Sequence, residues 1–473
     1  LNTKAFLSDP VFVKIGEAAD ALGQETYVIG GYVRDCILRR GKPKDIDIVT
    51  VGSGIALARA VAQVLGIKKV HTFQNFGTAQ LRYRSWEIEF VGARKESYRR
   101  DSRKPLVEDG TLEDDQNRRD FTINALALAL NAETFGRLLD PFNGLSDLQD
   151  QKLRTPLDPE VTFSDDPLRM MRAIRFATQL QFELVPEAHE AIIQKADRLS
   201  IISKERISDE LHKIMAAPRP SVGIIGLFKA GLLAHILPEV QQLQGVEEIE
   251  GQSHKDNFYH TAEVVDNVAA RSTHLWLRYA ALFHDIGKPV TKKFIPPTGW
   301  TFHNHEFVGA KMVYRIFKRL KFPLGETVKY VQKIVRLSSR PIAVNEDTAT
   351  DSAARRLLFE AGDDLEDLMI LAESDLTTRN QRKKKQFLQN FAEVRARLKA
   401  VEEKDQVRNF QPPVSGGDIM TYFGIGPGRE IGLIKEAIKE AILEGELPNE
   451  RPAAWNYMIE KGAALGLKKA GEK

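Results

Sequence analysis

The stretch Tyr27-Val28-Ile29-Gly30-Gly31-Tyr32-Val33-Arg34-Asp35, followed after nine intervening residues by Asp45-Ile46-Asp47-Ile48-Val49, restricts the fold of this chain most. It predicts a strand, a tight glycine turn, a short helix and a second strand. Side chains alternate between the faces of a strand. Asp45 and Asp47 therefore share one face, while Ile46 and Ile48 point to the other, into a core. Two carboxylates on one face repel unless a cation neutralises them. A hard ion such as Mg²⁺ does so through carboxylate oxygens and keeps sites open for phosphate oxygens. The Gly30-Gly31 turn lets backbone N–H groups approach a phosphate closely, and Arg34 adds a positive fork suited to phosphate. Taken singly, an Asp-x-Asp is common on solvated strand edges and a Gly-Gly pair is usually a turn. A dinucleotide site would need a third glycine, which is missing here. In this order and spacing, the residues predict a metal-dependent site for a nucleoside triphosphate.

The combination GGYVRD then DIDIV resembles the nucleotidyltransferase superfamily, and within it the group of bacterial poly(A) polymerases and tRNA CCA-adding enzymes. Further motifs follow in that group's order. In Trp86-Glu87-Ile88-Glu89-Phe90 the two glutamates share a face, and the family places a third acidic residue five positions before an arginine. Glu89 before Arg94 matches this, with Glu87 as the alternative. Three carboxylates holding two metal ions would activate a ribose 3′-OH and neutralise the departing pyrophosphate, so no protein nucleophile is required. Arg118-Arg119-Asp120-Phe121-Thr122-Ile123-Asn124-Ala125-Leu126-Ala127 has helical apolar spacing with arginines at its start, where they would oppose the helix dipole. Phosphate binding explains them better. The segment matches the family's RRDFTxNA motif, which implies that Arg119 contacts triphosphate. The charged loop Arg94–Asn117 corresponds to the family's flexible loop, and Asp140–Leu148 to a hinge between head and neck; taken alone, the latter also reads as an ordinary Pro/Gly turn.

Asp165-Asp166-Pro167-Leu168-Arg169-Met170-Met171-Arg172-Ala173-Ile174-Arg175-Phe176 predicts a helix with proline in its first turn. Asp166, Arg169, Arg172 and Arg175 recur every three residues and form a slowly winding stripe. Three arginines in line, without alternating acids, suggest an anionic ligand. The base chemistry is more selective. Cytosine and adenine each present an amino donor beside a ring-nitrogen acceptor, which a carboxylate and a guanidinium complement. Guanine and uracil present the reverse and would leave buried polar groups unpaired. Asp166 and Arg169 are thus a plausible protein template for C and A. They match the family's E/D-D-x-x-R motif, with Asp165 in place of the usual glutamate. Glu205–Leu211 matches the next motif and is assigned a structural role.

Most histidines follow residue 250. His260, the pair His284-Asp285 and Asp375 occur in the order H…HD…D on helical segments, which resembles the HD phosphohydrolase superfamily. His305 is an additional candidate. Imidazole with carboxylate suits Ni²⁺, Mn²⁺, Zn²⁺ or Fe²⁺. Many bacterial CCA-adding enzymes carry such a domain, some with phosphodiesterase or phosphatase activity.

The expected fold class is α+β: a small α/β nucleotidyltransferase head over residues 1–150, a helical neck with nucleobase recognition over 151–245, an HD domain over 246–390 and a helical tail over 391–473. A length of 473 residues suggests roughly three domains. No apolar run is long enough for a membrane span, and the start lacks the pattern of a secretory signal. The single cysteine, Cys36, excludes an internal disulfide and reads as a small core residue; a cytoplasmic setting is expected. A net charge of +3 does not announce nucleic acid. Local clusters such as Arg99-Arg100, Arg118-Arg119, Lys292-Lys293 and Arg382–Lys385 remain compatible with RNA, because phosphate contacts act as patches. The expected partners are tRNA, ATP and CTP, with Mg²⁺ in the head. Alternatives are a poly(A) polymerase, an enzyme adding only C or only A, or an HD phosphohydrolase with an RNA-binding head.

Overall fold

The computed structural model describes residues 2–41, 45–74, 77–97, 106–249, 252–253, 256–344, 350–378, 380–408 and 410–471. Arg99-Arg100 and the centre of the Arg94–Asn117 loop lie outside them. The chain forms two compact units, Leu1–Pro238 and Glu239–Lys473.

In the first unit, helix α1 (Pro10–Ala21) starts at an Asp9 side chain that accepts from the Val11 amide, with Pro10 in the first turn. Strand β1 (Thr26–Ile29), helix α2 (Gly31–Ile37), strand β2 (Asp45–Thr50) and helix α3 (Gly54–Leu65) follow. Ser53 caps α3 and left-handed Gly66 ends it. Then come β3 (His71–Phe73), β4 (Thr78–Tyr83), β5 (Trp86–Gly92), the paired β6 (Arg94–Ser97) and β7 (Leu106–Asp109), the short helix α4 (Leu112–Asn117), β8 (Ala127–Ala129) and β9 (Leu138–Leu139). Seven strands make one mixed sheet in the order β3-β4-β5-β2-β1-β8-β9. Only β2 and β5 run parallel, with Asp45 opposite Glu87 and Asp47 opposite Glu89. The alternation works as expected: Ile46, Ile48, Ile88 and Phe90 are fully buried, each contributing roughly 1.5–3 kcal/mol. Helix α3 covers β4 and β5, and α1 packs on α3. The carboxylates are left on the opposite face.

One expectation fails. Arg118–Ala127 is not a helix. Helix α4 ends before Arg118, Phe121 is extended, Thr122–Asn124 is one 3₁₀ turn, and Ala127–Ala129 joins the sheet beside β1. Pairing of Ile29 with Ala127 overrides the local apolar spacing. The two arginines consequently follow the C-terminal end of α4, where the helix dipole favours cations, so the dipole conflict inferred from sequence does not exist.

Beyond the head, α5 (Gly144–Gln149) follows a turn in which the Asp140 carboxylate accepts from the amides of Gly144 and Leu145 at 2.6 and 3.0 Å. Helices α6 (Pro159–Asp165) and α7 (Leu168–Leu180) come next, and α7 packs against the helix Lys204–Met215. Among its described residues the second unit is helical apart from two short hairpins and the connecting turns. Its helices include Asn257–Ala269, Leu275–Phe283, His305–Leu320, Glu326–Leu337 and Leu365–Ser374. Trp276, Tyr279, Phe317 and Phe322 stack edge-to-face or tilted within it. Ile295-Pro296-Pro297 leads into the turn of a hairpin that pairs Lys293–Ile295 with Gly299–Thr301. Among the described residues no helix is long and apolar enough to cross a membrane.

Candidate functional site

The site in the first unit is built around Gly30. Its φ of +82° follows β1 directly, and a Cβ there would lie 3.0 Å from Arg119 Nη1 and 3.5 Å from Asp47 Oδ2. Glycine is therefore needed for the conformation, and a Cβ there would press on the Arg119 guanidinium. Asp45, Asp47 and Glu89 occupy one face of two adjacent strands. Burial raises the Asp47 pKa, Arg119 opposes the rise, and Asp45 and Asp115 add to it. Glu89 is raised by burial and by Asp47, against Arg94. Glu87 pairs with Arg82. Carboxylates whose charge is destabilised by one another suit a divalent cation, so the donor set fits Mg²⁺.

The Arg34 fork, read from sequence as suited to phosphate, is engaged within the chain. It donates to Asp35 at 2.8 and 3.0 Å and to Asn124 Oδ1 at 2.8 Å, and lies 5.1 Å from the Phe176 ring. Gly31 lies beside its guanidinium. Cys36 is half-buried, with its thiol pKa pushed up by burial, as a packing residue requires.

The stripe on α7 also differs from expectation. Asp166 lies just before the helix, where Oδ1 accepts from the Leu168 amide at 3.1 Å and Oδ2 lies 3.4 Å from Arg206. Arg169 donates to the carbonyls of Thr162 at 3.3 Å and Arg118 at 2.5 Å. Arg172 donates to Asp120 at 2.7 Å. Arg175 pairs with Glu210 at 2.8 Å and lies 4.2 Å from the centre of the Phe176 ring. The positive charges of Arg172 and Arg175 are thus met by carboxylates of the chain itself, which removes the argument that three arginines in line require an anionic ligand. Asp120 is buried; burial opposes its ionisation, but Arg172 and Asn124 outweigh it and hold its pKa at about 2. Asp115, Asp120 and Glu210 were not singled out from sequence. Asp115 and Asp120 flank the two arginines of a motif that was read, and Glu210 lies in the segment assigned a structural role. Beside α7 a cleft of about 210 Å³ is lined by Lys95, Arg118, Leu157, Val161 and Arg169 among others, with Leu157 and Val161 exposed.

In the second unit, His260 projects from the helix Asn257–Ala269, His284 and Asp285 follow Leu275–Phe283, and Asp375 follows Leu365–Ser374. His260, His284 and Asp285 offer ligand atoms all within 4.8 Å of one another, the one such group among the described residues. Asp375 Oδ1 lies 2.7 Å from His260 Nε2 and 3.4 Å from His284 Nε2. His305 Nε2 lies 3.5 Å from Asp285 Oδ1. The His284 Nδ1 is within 2.7 Å of the Ala281 carbonyl, which turns Nε2 toward the cluster. His284 Nε2 and Asp375 Oδ1 are buried without a well-formed hydrogen bond among the described residues. Imidazole nitrogens and carboxylate oxygens that converge on one buried place fit a divalent metal.

A mixed sheet with a glycine turn against strand carboxylates, followed by helical domains, defines the class of nucleotidyltransferases. Comparison with known proteins narrows this. A "Poly A polymerase head domain" matches residues 26–154, a "Probable RNA and SrmB- binding site of polymerase A" residues 181–243, and an HD domain residues 257–379. The A-adding tRNA nucleotidyltransferase of Deinococcus radiodurans is 36% identical over 351 residues, covering 72% of this chain and 78% of that protein. The CC-adding tRNA nucleotidyltransferase of Thermus thermophilus is 30% identical over 446 residues, covering 91% and 92%. A solved tRNA nucleotidyltransferase, complexed with a primer tRNA and an incoming ATP analog, matches with 26% identity and a TM-score of 0.56 over 81% of this chain and 99% of that one. The chain belongs to the tRNA nucleotidyltransferase family.

Proposed function

We propose that the chain extends tRNA 3′ ends from CTP and ATP, completing the CCA terminus with release of pyrophosphate. The observation that carries this is the packing of Gly30 against both Arg119 and Asp47, which joins a phosphate-approach turn, a cation and the strand carboxylates in one place. Asp45, Asp47 and Glu89 would hold Mg²⁺, which supplies charge neutralisation and a more acidic ribose hydroxyl. Arg119, which lies against Gly30 and near Asp47, would face triphosphate oxygens. Asp166 and Arg169 are assigned the Watson–Crick edge of C and A, beside the cleft whose exposed Leu157 and Val161 offer an apolar surface to a base. The His260, His284, Asp285 and Asp375 cluster would hold a transition metal, with His305 beside Asp285, and supports hydrolysis of phosphate esters. A cytoplasmic location suits a tRNA-processing enzyme.

A narrower reading has its own support: the 36% identity to an A-adding enzyme favours addition of the terminal A alone. Both are tested by supplying tRNA lacking three, or only one, of its terminal nucleotides with CTP and ATP singly and together. Full CCA addition requires extension of the shorter primer by both nucleotides. Extension of the CC-ended primer only, by ATP, selects the narrower reading. Asp47→Ala should abolish both incorporations, and normal turnover by that variant in folded form overturns the proposal.

A further inference from the structure

Asp115 has a side chain with no solvent exposure, yet it faces two guanidiniums at once. Its Oδ1 accepts from Arg118 Nε at 2.9 Å and pairs with Nη2 of the same residue. Its Oδ2 lies 3.1 Å from Arg119 Nη2 and 3.2 Å from Arg119 Nε. One carboxylate therefore fixes two adjacent forks, each on its own oxygen. The helix carrying it is itself held: Thr111 and Asp114 cap α4 reciprocally, and Gln116 donates to the Ala125 carbonyl at 2.7 Å. The two forks lead to different parts of the site. Arg119 lies against Gly30 and near Asp47. Arg118 lines the cleft that Arg169 also lines, and its carbonyl accepts from Arg169 Nη2 at 2.5 Å.

We propose that Asp115 is a positioning residue for nucleotide selection: it aims the Arg118 and Arg119 forks and, through the Arg118 carbonyl, keeps Arg169 in register with them. The inference rests on the reading of Arg119 and Arg169 as nucleotide contacts. Without the carboxylate, two neighbouring guanidiniums repel and each regains rotamer freedom, so a nucleotide must order them as it binds. The carboxylate leaves one net positive charge from the trio.

The test compares Asp115→Asn, Asp115→Glu and Arg119→Gln in steady-state addition to truncated tRNA with CTP, ATP and UTP. Asp115→Asn should raise KM for CTP and ATP about tenfold, the scale of one lost charge-assisted hydrogen bond. The KM for tRNA should stay within about twofold, and preference for CTP over UTP should fall by about fivefold or more. Asp115→Glu, which keeps the charge one methylene away, should fall between wild type and Asp115→Asn. A purely structural role would lower the active fraction and leave both KM values and the CTP:UTP ratio unchanged; that result overturns the proposal. A raised nucleotide KM with an unchanged ratio overturns the link to Arg169. If Arg119→Gln leaves nucleotide KM unchanged, the reading of Arg119 as a phosphate contact fails on its own account. If Arg119→Gln raises it and folded Asp115→Asn does not, that reading stands and positioning by Asp115 is refuted. Should Asp115→Asn not fold, the same criteria apply to Asp115→Glu, with an unchanged nucleotide KM and ratio as the refuting result.

Discussion

At the scale of single residues, charge placement governs this molecule. Asp120 accepts from the Phe121 amide at 2.9 Å and from Asn124 at 3.0 Å while pairing with Arg172. Its depressed pKa contributes stability that is present above the ordinary carboxylate value of 3.8 and is lost as pH falls toward about 2. Asp120→Asn should therefore destabilise the first unit by about 2 kcal/mol at neutral pH. It should also lack the part of acid unfolding that wild type shows in that window; denaturant titrations at pH 7 and at low pH check both. Asp166 makes a different prediction. With one oxygen on the Leu168 amide and the other toward Arg206, it is held without being fully enclosed. Asp166→Ala should lower the rate and narrow the gap between CTP or ATP and their rivals UTP and GTP, about tenfold for a lost specific hydrogen bond. Equal slowing with all four triphosphates would assign Asp166 to structural support instead.

At the scale of elements, close backbone approaches set the geometry of both centres. Gly287 follows the His284-Asp285 pair, and a Cβ there would come 2.1 Å from the His305 carbonyl and 2.9 Å from the Gly309 amide. Neither backbone atom can yield cheaply, so Gly287→Ala must push the start of the helix His305–Leu320 away from Asp285. The expected outcome is a loss of metal affinity of about tenfold or more at the histidine cluster, the scale reported by changes in supporting contacts around metal ligands. Metal content after dialysis against a graded chelator measures it. The sheet shows the complementary case. The parallel pairing of β2 with β5 sets Asp47 opposite Glu89, so the carboxylate site depends on register as much as on composition.

At the scale of the molecule, the two centres lie in separate compact units, one with hard carboxylate donors and one with imidazoles. His284→Ala combined with Asp285→Ala should remove bound transition metal and any activity on 2′,3′-cyclic phosphates, while nucleotide addition persists within about twofold. Both assays on one preparation decide it. Loss of addition by a stably folded double variant would show that the units are coupled.

The residues that could be read without coordinates are those whose chemistry is local. Strand alternation placed Asp45 and Asp47 on one face and Ile46 and Ile48 in the core. The histidine and aspartate order marked a set that converges in space. What tertiary structure alone decided is where each charge ends. Arg172 reaches Asp120 across 52 positions and Arg34 reaches Asn124 across 90, partners no local pattern can name. The same holds for Arg118–Ala127, whose helical spacing gave way once Ala127 found a strand partner at Ile29. Local periodicity states which faces are apolar; long-range pairing determines which conformation satisfies the backbone and which carboxylate neutralises each arginine.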